Sequence, residues 1–281
     1  GGRRCELLEL FRSALKRRGG GRIIVSEIST LAPTLRFADS SALLPHSAKP
    51  EFPEALAALV EREHIDLLIP SIDPDLEALD AQRMRIAALC PKLKMLLPSS
   101  ETVHLASDKR LSKGRFSALG AEVPVSVEPA SENLEFPLFV KPPNGSSSVG
   151  ARLVGSANDL QAALAENPSL MVERVVEGPE YTVDVLCDFT GKALSAVPRK
   201  RLKVRAGEVV QGVVELRRDL ISLAMRLAEG FGAQGPVTLQ FRMPEDGRYV
   251  AMELNARMGG GLPLSVAAGA DWPGMILDLV E

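Results

Sequence analysis

Residues 235–261, GPVTLQFRMPEDGRYVAMELNARMGGG, constrain this chain more than any other stretch. Two runs of alternating residues flank Asp246-Gly247, a dipeptide that favours the two-residue turn of a β-hairpin. With that turn, Glu245 pairs with Arg248 and Gln240 falls opposite Glu253. Side chains alternate along a strand, so Thr238, Gln240, Glu253, Asn255 and Arg257 share one face. Val237, Leu239, Phe241, Met252 and Leu254 take the other. An apolar face backed by a carboxylate, two amides and a guanidinium is the pattern of a site, not of a surface hairpin.

The chain has 281 residues, 46% hydrophobic and 25% charged, enough for a substantial core and two domains. A net charge of −3 gives no electrostatic reason to expect nucleic acid or an anionic membrane as partner. No apolar run reaches the length of a membrane span, and nothing resembles a signal peptide. Cys5, Cys90 and Cys187 are scattered and odd in number, which argues against a disulfide framework or a zinc site; the expected setting is a reducing cytoplasm. His46, His64 and His104 have no metal-ligand spacing. The oligomeric state, a homo-oligomer included, is open.

Leu7, Leu8, Phe11, Ala14 and Leu15 mark a first helix, stopped at Gly19 to Gly21. A strand over 22–26, a helix over 51–63, a strand over 65–70, a helix over 75–89 and a strand over 94–97 follow. Alternating strands and helices predict a parallel, doubly wound sheet. Such folds usually begin with a strand, so a first strand is expected ahead of Gly1. Gly-Gly-Arg-Arg at the start reads as a tight turn more readily than as a phosphate site. In SIDPDLEAL, the acids Asp73, Asp75 and Glu77 fit a helix entrance, with Ser71 or Asp73 near the N-cap, better than a metal site.

Ser107-Asp108-Lys109 opens a helical stretch to Leu119. A strand over 136–140 then ends in Lys141 and a loop, Asn144 to Gly150. Gly145 and Gly150 let backbone N–H groups turn inward, and Ser146, Ser147 and Ser148 add hydroxyls, which suits phosphate. The loop lacks the Gly-Lys-Ser ending of a P-loop, and taken alone it is equally a flexible hairpin loop. Glu173 and Glu180 flank a Gly-Pro break; backbone at Arg174, Val175 and Val176 can meet an adenine edge, and Glu180 ribose hydroxyls. Without context these are two strands and a turn. Arg199, Lys200, Arg201, Lys203 and Arg205 make either a solvated strand edge or an anion-binding wall.

SDK at 107–109, FVKP at 139–142, NGSSSVG at 144–150, VERVVEGPEYTVDVL at 172–186, PRKR at 198–201 and ELNARMGGG at 253–261 occur in that order. In these motifs the chain resembles ATP-grasp carboxylate ligases, most closely the single ATP-grasp proteins similar to the large subunit of carbamoyl-phosphate synthetase. The resemblance implies a mixed α/β and α+β fold: a Rossmann-like pre-ATP-grasp domain at 1–98, then an ATP-grasp domain at 99–281. Its two lobes would close on ATP, with a mobile lid at about 122–172.

Carried over, Lys109 and Lys141 would contact ATP phosphates beneath the loop with Gly145, Ser146, Ser147 and Ser148. Glu173 and the backbone of Arg174, Val175 and Val176 would meet adenine, and Glu180 ribose. Gln240, Glu253 and Asn255 would face Mg²⁺, with Mn²⁺ as a substitute, since oxygen ligands suit hard cations. Arg257 and Lys141 would serve catalysis, while Arg199, Arg201 and Glu208 would meet substrate. The implied reaction joins a small carboxylate to an amine or related nucleophile through an acyl phosphate, releasing ADP and phosphate. The competing expectation is a nucleotide-binding module, or a non-catalytic subunit of a carbamoyl-phosphate-synthetase-like assembly. A nicotinamide enzyme fails for want of a complete glycine fingerprint.

Overall fold

The computed structural model describes residues 2, 4–145, 149–205 and 207–281. Helix α1 (Cys5–Arg17) buries Leu7, Phe11 and Ala14, an i, i+4, i+7 stripe. Strand β1 (Ile24–Glu27) pairs in parallel with β2 (Ser40–Leu43). Then come α2 (Phe52–Glu63), β3 (Leu67–Leu68), α3 (Asp73–Ala81), α4 (Arg83–Leu89) and β4 (Lys94–Met95), with β3 and β4 also parallel. The parallel pairing agrees with the alternation in the sequence. Among the described residues, however, the strands form two separate pairs, not one doubly wound sheet.

The expected helix over 75–89 is two helices. They break at Gln82, where the backbone N–H bonds Leu79 O at 3.2 Å, and whose side-chain amide donates to Ser47 O at 2.6 Å and to Ala78 O at 3.3 Å. Asp73 is the first residue of α3 and not its cap; the N-cap is Ile72, which has no side-chain oxygen to offer.

Helices α5 (Ser100–Ser107) and α6 (Lys109–Ala118) lead to a small antiparallel sheet. In it β5 (Leu138–Lys141) lies between β6 (Arg152–Val154) and β7 (Met171–Arg174). Helix α7 (Ala157–Glu166) gives it a core of its own: Leu138, Val140, Val154, Leu160, Ala163 and Val172. The larger sheet is antiparallel throughout, in the order β10 (Glu208–Val214), β9 (Ala193–Arg205), β8 (Glu180–Cys187), β11 (Gly235–Arg242), β12 (Val250–Asn255).

Tyr181, Val183, Val185, Val237, Leu239 and Phe241, alternate residues of the two central strands, share one core with Leu220, Ala224 and Leu227 of α8 (Arg218–Gly230). That core continues into Phe52, Leu56, Leu76 and Phe116. Each fully buried large apolar side chain contributes ~1.5–3 kcal/mol. The chain then runs through α9 (Leu262–Ala267) to α10 (Trp272–Val280), whose Trp272 and Ile276 join Leu7 and Phe11 in a second core. Among the described residues no helix is long and apolar enough to cross a membrane.

The hairpin keeps its predicted register where the polar face lies and departs from it near the turn. Thr238 opposes Asn255, Leu239 opposes Leu254 and Gln240 opposes Glu253, but Phe241 opposes Ala251 and Arg242 opposes Val250. Met252 is therefore an extra residue, a β-bulge. The connection is not the two residues Asp246-Gly247 but 243–249, with a turn closed by Gly247 N–H donating to Pro244 O at 3.0 Å. The longer loop shifts the register by one, and the bulge shifts it back. Met252 leaves the apolar face in the process and lines a cavity.

Candidate functional site

A cavity of ≈ 360 Å³ opens between the small and large sheets. Gln240, Glu253 and Asn255 line it from the hairpin, Lys141 from β5, and Lys109 from the start of α6. Asp108 caps that helix by accepting from Arg110 N–H at 2.8 Å. The cap is tied to the loop after β5: Lys109 N–H donates to Pro143 O at 2.8 Å, and Asn144 Nδ2 to Ser107 O at 3.0 Å. So held, Lys109 donates through Nζ to Gly145 O at 2.6 Å and lies 3.9 Å from Glu253 Oε1. Burial pushes the Glu253 carboxyl up; Lys109, the nearest cation, pulls the other way and Asp73 adds to the rise.

Arg257 leaves β12 towards α3. Its Nη2 donates to Asp73 Oδ2 at 2.6 Å and to Asn255 Oδ1 at 3.3 Å, and its Nη1 to Met258 O at 3.2 Å. Its Nε is buried without a partner among the described residues. No spacing in the sequence could have linked Asp73 to Arg257, which lie 184 residues apart.

The two arginines assigned to substrate are already engaged. Arg199, 2% exposed, grips the fully buried Asp184 with two hydrogen bonds, Nε to Oδ2 at 2.8 Å and Nη2 to Oδ1 at 2.9 Å. Ser265 Oγ donates to the same carboxylate at 2.6 Å. The fork that would clamp a substrate carboxylate is therefore filled, and only the Nη1 edge remains, packed against Gly261. A Cβ on Gly261 would stand 2.0 Å from Nη1. Arg201 pairs through Nη1 with Glu180 and through Nη2 with Gly207 O at 2.8 Å, and its buried Nε has no partner among the described residues. Glu180 also lies 3.6 Å from Arg242 Nη2, and both line the cavity.

Glu173 is not on the cavity wall. It is 1% exposed, and its two oxygens are held by Lys113 Nζ and Lys141 Nζ, each at 2.8 Å. Arg174 is exposed and paired with Glu135, and none of residues 173–176 is among those lining the cavity. Gly145 lines it; Ser146, Ser147 and Ser148 lie outside the described residues, as does the side chain of Glu208. Lys113 escaped the sequence reading, though its place four residues after Lys109 puts both on one face of a helix.

The donor set fits a polyanion and a hard cation. Two buried guanidinium Nε atoms, of Arg201 and Arg257, have no partner among the described residues, and both arginines line the cavity with Lys109 and Lys141. The hairpin offers oxygen from two amides and one carboxylate. Among the described residues no three His, Cys, Asp or Glu form a metal-holding group. A hard cation here would need further oxygens from its ligand, as Mg²⁺ commonly takes from phosphates.

Three family models match successive parts of the chain: "PylC-like, N-terminal domain" over residues 1–92, "D-ala D-ala ligase C-terminus" over 113–205 and "ATP-grasp in the biosynthetic pathway with Ter operon" over 166–281. None of the three spans half of the chain, and over 113–281 the chain is similar to ATP-grasp ligases. Among ATP-grasp relatives, D-alanine–D-alanine ligase of Pseudomonas putida (strain GB-1) is 27% identical, the match covering 63% of this chain and 64% of that one. The 3-methyl-D-ornithine–L-lysine ligase of Methanosarcina mazei is 28% identical over 64% of this chain and 44% of its own. The chain thus spans less than two thirds of the length of these curated relatives. A solved structure, N5-carboxyaminoimidazole synthetase of Staphylococcus aureus complexed with ADP, superposes with a TM-score of 0.76 at 16% identity, over 100% of this chain and 75% of that one, and shows the shared fold.

Proposed function

We propose that this protein binds MgATP in the cavity between its two sheets and uses it to join a small carboxylate to an amine, an amino acid serving as at least one of the two. The observation that carries this reading is the alignment of Gln240, Glu253, Asn255 and Arg257 along a cavity that Lys109 and Lys141 also line. The names of the relatives, ligases of D-alanine and of lysine, support the substrate class.

Gln240, Glu253 and Asn255 would hold Mg²⁺, which when bound supplies charge neutralisation on the phosphates. Lys109 and Lys141 neutralise what remains, and Glu180 accepts from ribose hydroxyls once it exchanges its arginine partners. The substrate carboxylate attacks the γ-phosphate in line to give an acyl phosphate and ADP, and the amine then displaces phosphate. Phosphoryl transfer asks for positioning and charge stabilisation more than for covalent help. Arg257, anchored by Asp73, turns its free Nε to the transferring group or to the carboxylate that attacks it. The small lobe, about residues 122–172, acts as a lid that keeps water from the acyl phosphate.

The test is ADP and phosphate release from ATP on adding amino acids singly and in pairs. Turnover with a defined pair supports ligation. Tight MgATP binding with no turnover on any pair, or on other small carboxylates, would replace it by the nucleotide-binding module or non-catalytic subunit.

A further inference from the structure

We propose that Lys113 is a positioning residue for nucleotide binding, acting through Glu173 on Lys141. This rests on the reading above, in which Lys141 meets the phosphates of ATP.

Glu173 is a carboxylate almost wholly removed from water, and a single ammonium ion would satisfy its charge. It has two. Lys113 Nζ meets Oε1 and Lys141 Nζ meets Oε2, both at 2.8 Å, so one negative charge is divided between two positive ones. The cluster keeps a net charge of +1. Of its two cations, only Lys141 is among the residues lining the cavity.

Lys113 is held back from the cavity by a second acceptor, Ser126 Oγ at 2.6 Å. Ser126 is itself bridged to Glu173 through the backbone, which fixes the distance between the two acceptors. Lys113 thus does two things. It holds the Glu173 carboxylate with one oxygen turned to Lys141, and it cancels the charge that would otherwise bind Lys141 as a closed pair. An ammonium in a closed, buried pair offers little to a phosphate, because its counter-charge is as near as the ligand. With Lys113 in place the pair is open on one side.

The arrangement also joins two parts of the cavity. Lys113 belongs to the same helical face as Lys109, whereas Glu173 and Lys141 belong to β7 and β5 of the small sheet. One turn of α6 therefore serves the hairpin side through Lys109 and the small-sheet side through Lys113.

The test is MgATP affinity, by calorimetry, of the wild type, Lys113→Met, Lys113→Arg, Lys141→Met and the double variant Lys113→Met/Lys141→Met. Thermal melting of each identifies any that fail to fold, and Lys113→Gln stands in for Lys113→Met if needed. The expected result is a loss of affinity of ~10-fold or more for Lys113→Met, recovered in Lys113→Arg, with the double variant no weaker than Lys141→Met, because residues that act through one another are non-additive. Wild-type affinity in Lys113→Met, or losses that multiply in the double variant, would overturn the proposal. Wild-type affinity in Lys141→Met, or no binding by the wild type, would instead overturn the nucleotide reading beneath it.

Discussion

Gln240 stands directly opposite Glu253 across the β11–β12 pair, and it does so because Met252, next to Glu253, is bulged out of the ladder. The bulge brings an amide and a carboxylate level at the cavity and adds a thioether to its lining. Glu253→Ala should reduce ATP-dependent ADP release by at least ~10²-fold, the scale of losing a principal charge-stabilising group. The melting temperature without nucleotide should hold, because burial already disfavours this carboxylate. ADP release at the wild-type rate would remove Glu253 from the chemistry.

The Arg199–Asp184 pair makes a second prediction. Its guanidinium cannot retreat from Gly261, being held on its far side by Asp184, which in turn accepts from Ser265. Gly261→Ala should therefore push Arg199 out of place and cut turnover ~10-fold or more, as misplacement of site groups does. Asp184→Asn leaves the buried cation without its counter-charge and should cost about 3–5 kcal/mol of stability in chemical denaturation. An Asp184→Asn protein as stable as the wild type would show that the pair is not a structural anchor.

The cysteines differ in ways a thiol reagent can read. Burial pushes the Cys187 thiol up to about 12 and also raises Cys90, while Cys5 is half-buried on α1. At pH 8 the native protein should release one equivalent of chromophore from Ellman's reagent, and three after denaturation. Rapid release of more than one from the folded protein would contradict the burial of Cys187 and Cys90.

Acid should weaken the link between α1 and the first parallel strand pair. Asp39 accepts from Ile23 N–H at 2.7 Å and from Arg12 Nη1 at 2.6 Å, and these bonds, the backbone one foremost, hold its carboxyl below the usual range. A lowered folded value means that the stabilisation is present above the unfolded value of about 3.9 and is lost as pH falls through the folded one. The wild type should exceed Asp39→Asn in denaturation midpoint by a constant margin from pH 7 to 5, shrinking below about pH 4. A margin that does not change with pH would mean the carboxylate's charge contributes nothing.

The hairpin's polar face was legible because alternation along a strand depends on nothing outside it. Gln240, Glu253 and Asn255 fell on one side from parity alone, and two departures, a longer loop and a bulge, cancelled before reaching them. Charge pairs were not legible, because sequence reports a charge and not its partner. Arg199 and Arg201 looked available to a substrate and are engaged by Asp184 and Glu180; Glu173 looked ready for adenine and is held between two lysines. The break at Gln82 was hidden because no glycine or proline lies at or beside it to announce one. Local periodicity was readable, and tertiary partners were not.

The first and last helices of the described chain share a core, Leu7 and Phe11 against Trp272 and Ile276, and its rim carries the ion pair Arg17–Asp271 at 2.5 Å. Each helix is thus the other's missing wall. Proteolytic removal of α10 would uncover the apolar stripe of α1, and loss of α1 would open one wall of the core that Trp272 and Ile276 enter. Limited digestion should accordingly spare both helices together or lose both together, and a reporter dye placed on either one would sense the unseating of the other.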